Sequence, residues 1–185
     1  PHPGVLTGAA LTDVRITLTN GRAHEKHTEG GDFRQAVCRA IRQGLEQAES
    51  LLLEPYYAFS LALPLACVGH ALSDLQRRHA RFDAPQPQND RCLITGRGPA
   101  ACLVDYAADV AAYSKGEGAL MLRFDGYDLC HNPEEVIQAS GYDRRADSGH
   151  PSSSVFCSHG AGFSVAWDEV ASHLHCQRRP LLAES

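Results

Sequence analysis

The side chains best suited to chemistry gather toward the C-terminal end of the chain: Cys157, His159, His173, His175 and Cys176. Thiolate and imidazole are the usual donors to zinc, and a reduced chain keeps its thiols available for that purpose. Structural zinc sites commonly space their ligands as Cys-x₂₋₄-Cys or His-x₃₋₅-His, and neither Cys-x-His nor His-x-His-Cys fits. No metal is therefore expected, with these five as the fallback candidates. Cys157 and His159 also read as a nucleophile and a base, with the Gly160-Ala161-Gly162 amides as an oxyanion site. A strand ending in a tight glycine turn explains the same residues without chemistry.

Two further groups are suited to RNA. His24, Lys26 and His27, with Glu25 between them, follow an Asn20-Gly21 turn and can donate to phosphates and stack on bases. A solvated hairpin end is the plain alternative. Arg77, Arg78, His79 and Arg81 are the densest basic cluster; they suit an RNA backbone, and equally the negative end of a helix dipole. No Gly-x-x-x-x-Gly-Lys-Ser/Thr occurs, so no loop here cradles nucleotide phosphates, and neither catalytic nor nucleotide-binding residues are expected.

Among the elements that must hold these side chains, the clearest begins after Glu54-Pro55. Tyr57, Phe59, Leu61 and Leu63 fall on alternate positions there, the mark of a half-buried strand with a proline entrance. Leu65, Val68, Leu72 and Leu75 then recur at helical spacing. Arg81-Phe82 reads as a short strand, Pro85 and Pro87 as a loop, and Arg91 to Arg97 as a strand. Gly98-Pro99 opens a helix with the stripe Leu103, Tyr106, Val110 and Tyr113, and Leu120, Leu122 and Phe124 mark a last strand. The order β-α-β-β-α-β predicts an α+β, ferredoxin-like sheet with both helices on one face. Its expected core is Phe59, Leu61, Leu72, Leu75, Leu103, Val110, Leu122 and Phe124.

Upstream, Val14, Ile16 and Leu18 alternate before the Asn20-Gly21 hairpin signal, with a return strand from Arg22 to Thr28. Asp32 caps a helix that buries Phe33, Val37, Ile41 and Leu45 and leaves Arg34, Arg39 and Arg42 outside. Downstream, Asn132-Pro133 starts a short helix, Ser140 to Ser154 reads as a mobile loop, and Ser154 to Phe163 as an ordered coda. The expected organisation is a partial strand-strand-helix domain over 1–50, the ferredoxin-like domain over 51–127, and a C-terminal extension over 128–185 packing back on the first segment.

Composition sets outer bounds. The chain has 185 residues, 43% of them apolar, which suffices for a core. A formal charge of -5 argues against coating nucleic acid through net charge, though not against a local basic patch. Seven cysteines, an odd number set in apolar patterns, read as reduced thiols. With no apolar run near the roughly 20 residues of a membrane span, a cytoplasmic protein without a membrane partner is expected. The start at Pro1 reads as an excised piece.

Several motifs occur in one order: Thr12-Asp13-Val14-Arg15-Ile16-Thr17-Leu18 with Asn20-Gly21; Asp32-Phe33-Arg34; Leu52-Leu53-Glu54-Pro55-Tyr56; Ser73-Asp74-Leu75-Gln76-Arg77-Arg78; Asp105-Tyr106-Ala107-Ala108-Asp109; Gly116-Glu117-Gly118; and Phe124-Asp125-Gly126-Tyr127. Together, residues 5 to 127 resemble the last two domains, IV and V, of elongation factor G and the tetracycline-resistance ribosomal protection proteins. The resemblance implies a ribosomal partner, with His24, Glu25, Lys26 and His27 at a tip facing the decoding centre and Arg77, Arg78 and Arg81 on ribosomal RNA. It implies either drug protection or translocation, and partner GTPase domains of the same protein that carry GTP and magnesium; this segment needs no cofactor and is not itself an enzyme. Glu25-Lys26-His27 stand where the best-known tetracycline protection proteins have Ser-Pro-Val. A Cys157/His159 enzyme or zinc module is the competing reading.

Overall fold

The computed structural model describes residues 2–21, 23 and 28–174. It divides into two units, Leu51–Pro133 and a discontinuous one made of Pro1–Ser50 with Glu134–Ser185.

In the discontinuous unit, helix α1 spans Gly30–Gln47. Its start lies before Asp32 because Asp32 acts from inside the first turn: its Oδ2 accepts the Glu29 N–H at 2.9 Å, half of a capping box. The face it buries departs from the apolar stripe. Phe33 and Val37 are exposed, while Arg42, expected outside, is only 1% exposed. Its Nε donates to Ser152 Oγ at 3.3 Å, one terminal nitrogen to the Pro3 carbonyl at 3.1 Å and the other to the Tyr142 hydroxyl at 2.7 Å. Arg39 donates to the Ser153 carbonyl, Gln43 to the Trp167 carbonyl at 2.7 Å, and Glu46 accepts from Ser152 Oγ and pairs with Arg144 at 3.1 Å. Residues 140–154 are thus pinned by polar contacts and do not form the loose loop their composition predicts. Tyr142 also donates to Asp147 at 2.8 Å, which holds that carboxyl below its usual range.

The strand expected over Val14, Ile16 and Leu18 is not formed. These residues are exposed, Leu18 by 80%, and Asn20 accepts the N–H of Gly21 with its own side chain. An alternating pattern needs a neighbouring ladder, and none is present among the described residues. Of the return strand, Ala23 and Thr28 carry no strand structure, and Arg22 and the four tip residues His24, Glu25, Lys26 and His27 lie outside the described residues.

Gly44 sits inside α1 with no atom within 4 Å of the place an added β-carbon would take. Gly44→Ala should therefore stabilise the chain by about 0.5–1 kcal/mol, through the helix preference of alanine alone. Urea denaturation measures it, and a loss of stability would show that the helix surface is covered.

In the contiguous unit, β1 (Leu53–Pro64) leads through a short 3₁₀ turn (Leu65–Cys67) into α2 (Val68–Arg77). β2 (Arg81–Phe82), β3 (Gln86–Gln88) and β4 (Arg91–Pro99) follow, then α3 (Ala100–Leu103), α4 (Tyr106–Tyr113) and β5 (Ala119–Leu129). The sheet order is β2-β4-β1-β5 with every pairing antiparallel, which is the ferredoxin-like arrangement. β3 is an addition that pairs with the start of β4, where a loop was expected; Pro87 is tolerated because it lies on a strand with a single partner.

Phe59, Leu61 and Leu63 from β1 meet Ala71 and Leu75 from α2 and Leu103, Tyr106 and Val110 from the later helices in one core. Leu72 and Leu122 border it, but Phe124, expected inside, is 54% exposed. It pairs with Tyr57 beside the register shift between Pro55 and Tyr57, on the single-partnered strand β5, and packs edge-on against Tyr127 at 5.7 Å.

The remaining elements are α5 (Pro133–Ser140), the hairpin β6 (Ser154–Ser158) and β7 (Ala161–Val165), and α6 (Val170–His173). His159 and Gly160 turn the hairpin with φ of 51° and 80°. Positive φ at both central positions is the type I′ requirement, so the glycine serves the turn.

Candidate functional site

The basic cluster at the end of α2 is divided by the fold into residues with different work. Arg78 is held: it pairs with Asp109, donates to the Cys102 carbonyl at 2.5 Å and lies 4.6 Å over the Tyr106 ring. It ties α2 to the later helices, and burial, then the hydrogen bond that the Tyr106 hydroxyl donates to Tyr113, pushes the Tyr106 hydroxyl far above its usual range. Arg77 is largely exposed and pairs with Asp74 on its own helix. Asp74, Arg77, Arg78 and Asp109, with His70, Ala112 and Tyr113, line an open cleft of about 460 Å³.

Arg81 is exposed on β2 and belongs to a second cleft with Asp83, Thr95, Arg97 and Asp125. Arg97 there reaches Asp125 at 3.0 Å and Asp128 at 2.7 Å, and stacks 4.8 Å over Tyr56. The Leu129 N–H, and then Arg97, hold the Asp128 carboxyl below its usual range. Carboxylates accompany the arginines of both clefts, so a phosphate approaching Arg77, Arg78 or Arg97 meets a group already paired with an acid that must yield.

Among the described residues, the C-terminal candidates Cys157, His159 and His173 form no group that could hold a metal ion. Cys157 is an exposed strand residue opposite Gly162, whereas its neighbour Phe156 faces the other side of the hairpin and packs with Phe163 and the His173 ring, 5.5 Å and 6.0 Å from His173 respectively. His159 is committed to the turn, and His175 and Cys176 lie outside the described residues.

Comparison with known proteins decides what this arrangement is related to. The elongation factor G C-terminus model matches residues 51–136, and the elongation factor G domain IV model matches residues 2–49, adjacent and in that family's order. The chain belongs to the elongation factor G family. Within that family, the tetracycline resistance protein TetP of Clostridium perfringens is 32% identical over 122 residues, 66% of this chain and 19% of TetP. The chain thus spans about a fifth of that relative. A crystal structure from Thermus thermophilus shares 28% identity over 52% of this chain and 15% of its own, with a TM-score of 0.48.

One group in this family segment escapes any sequence motif. Glu54 on β1 accepts the backbone N–H of His131 and its ring Nδ1, both at 2.7 Å on the same oxygen. His131 Nε2 lies 3.5 Å from Cys102 Sγ, and its ring is 4.7 Å from that of His79. Burial, then the Glu54 charge, raises the Cys102 thiol above its usual range. A separation of 77 positions between Glu54 and His131 carries no recognisable spacing.

Proposed function

We propose that this chain is the ribosome-binding C-terminal arm of a translational GTPase and acts through RNA and shape contacts without chemistry of its own. The observation that carries the reading is the match to the elongation factor G domain IV and C-terminus models, side by side along one chain. GTP and magnesium belong to N-terminal domains of the parent, and the arm works in the cytoplasm, where ribosomes are. In this reading His24, Glu25, Lys26 and His27 contact the decoding centre, and Arg77 and Arg81 touch ribosomal RNA backbone; Arg78 supports them by fixing the end of α2. Among the described residues no helix is long and apolar enough to cross a membrane.

The experiment is competition between the full-length parent and elongation factor G for ribosomes across a salt series. Binding should weaken linearly with log salt, and Arg77→Ala or Arg81→Ala should each reduce that slope by about 1. His24→Ala should impair ribosome-dependent activity while changing stability by no more than about 0.5 kcal/mol. Binding that ignores elongation factor G, or slopes unchanged in both arginine variants, overturns the reading.

A further inference from the structure

We propose that Glu54, Cys130 and His131 form a binding site for a zinc-class divalent ion, with Cys102 holding the far side of the His131 ring. Among the described residues, one donor atom from each of the three lies within 4.8 Å of the other two. The donors are a carboxylate oxygen, a thiol sulfur and an imidazole nitrogen, the mixed O, S and N set that a borderline-soft ion accepts.

The backbone fixes the donors in advance. Leu53 pairs with Leu129, and the Cys130 N–H donates to the Leu52 carbonyl at 2.9 Å, so the antiparallel ladder carries Cys130 and His131 past Glu54. The group is also withdrawn from water: the side chains of Glu54 and His131 are 12% and 16% exposed, and Cys130 is buried. A carboxylate placed so is costly without a compensating charge, and a carboxylate plus a thiolate match a dication.

Bond lengths give the movement required. Zinc–nitrogen and zinc–sulfur bonds near 2.1 and 2.3 Å place tetrahedral donors about 3.3–3.6 Å apart. The ion therefore opens the Glu54–Nδ1 contact from 2.7 Å and draws the Cys130 sulfur inward from its 3.6 Å contact with Asn132. The Cys130 thiol proton leaves to solvent as the sulfur binds. The ring proton that Nδ1 donates to Glu54 leaves to solvent and Nε2 takes one up, so that with Nδ1 on the ion the Nε2–H donates to Cys102 Sγ at 3.5 Å, the outer partner that ligating histidines generally have. The fourth position is open to water or to the Asn132 side chain.

Cobalt(II) titration of the reduced 185-residue chain tests this, read by thiolate-to-cobalt charge transfer and by the visible bands of tetrahedral cobalt, with zinc displacing the colour. The Cys157→Ser chain should bind a single equivalent as the parent chain does. Cys130→Ser should lose the charge-transfer band. Glu54→Gln and His131→Gln should each weaken zinc binding by more than about 100-fold, and Cys102→Ser by about 10–100-fold with the band retained. Circular dichroism establishes that each variant is folded, and the Glu54 and His131 variants carry the test if Cys130→Ser is not. No band in the parent chain overturns the assignment. So does a band that survives Cys130→Ser, or one lost in Cys102→Ser, which would put the ion on Nε2.

Discussion

Gly96→Ala should destabilise the ferredoxin-like unit by about 3 kcal/mol, at the upper end of what overpacking costs. Gly96 lies in β4 opposite both Phe59 of β1 and Phe82 of β2. A β-carbon there would strike the Arg81 carbonyl oxygen, approach Phe82 Cα to 2.7 Å and approach the Phe59 ring to 2.8 Å. Two of these three neighbours are backbone, which no rotamer change can move aside. β2 has only two residues on the ladder and is the element that gives way, carrying exposed Arg81 with it. Urea denaturation should show the loss, and hydrogen exchange should accelerate first at residues 81–82 and 96–97. Gly21→Ala, with no atom within 4 Å of the added carbon, is the control and should be near neutral. A Gly96→Ala protein as stable as its parent would mean that β2 does not hold its position beside β4.

Arg42→Ala should cost the discontinuous unit about 3–5 kcal/mol, the range for removing one partner from a buried charged network. The guanidinium organises three otherwise separate pieces of chain, since Pro3, Tyr142 and Ser152 all receive its donors. Its loss leaves the buried Ser152 hydroxyl and the half-buried Pro3 carbonyl without that donor, and unmet buried groups cost more than the hydrogen bonds themselves contribute. Ser152 would still reach Glu46, so Arg42→Ala and Glu46→Ala should be non-additive. The measurement is amide exchange over residues 142–153, which should lose protection while residues 59–63 of the other unit keep theirs. Uniform loss across both units would contradict the division of the chain at Ser50 and Pro133.

What could be read from the amino-acid order follows the range of the forces involved. β1 announced itself because Tyr57, Phe59, Leu61 and Leu63 alternate and three of the four are buried by the helices that follow within about fifty residues. Val14, Ile16 and Leu18 carry the same signal, yet an alternating run states a need for cover without supplying it, and they are exposed. Arg42 failed in the opposite sense: a guanidinium on a helix is ordinarily solvated, and only partners 39, 100 and 110 positions away make its burial favourable. Phe124 obeyed its strand periodicity and still lies open, because it sits past the reach of the helices on β5. For the candidate contacts, the cluster at Arg77, Arg78 and Arg81 was visible as charge, whereas the anchoring of Arg78 by Asp109 and the Cys102 carbonyl depends on a helix that comes later in the chain.

The polar clamp on α1 also sets an order of events during synthesis. Helix α1 is made before the contiguous unit, but Ser152 is 110 positions beyond Arg42, and at roughly 5–20 residues per second that is about 5–20 s of elongation. Leu51–Pro133 is contiguous, so its whole sheet is available before Ser152 exists. Of these segments, the earliest to leave the peptidyl-transferase centre is therefore the last to reach its native contacts. During that interval its amphipathic helix is a natural client for chaperones, and a ribosome stalled between residues 134 and 152 would present one finished domain beside an unfinished one.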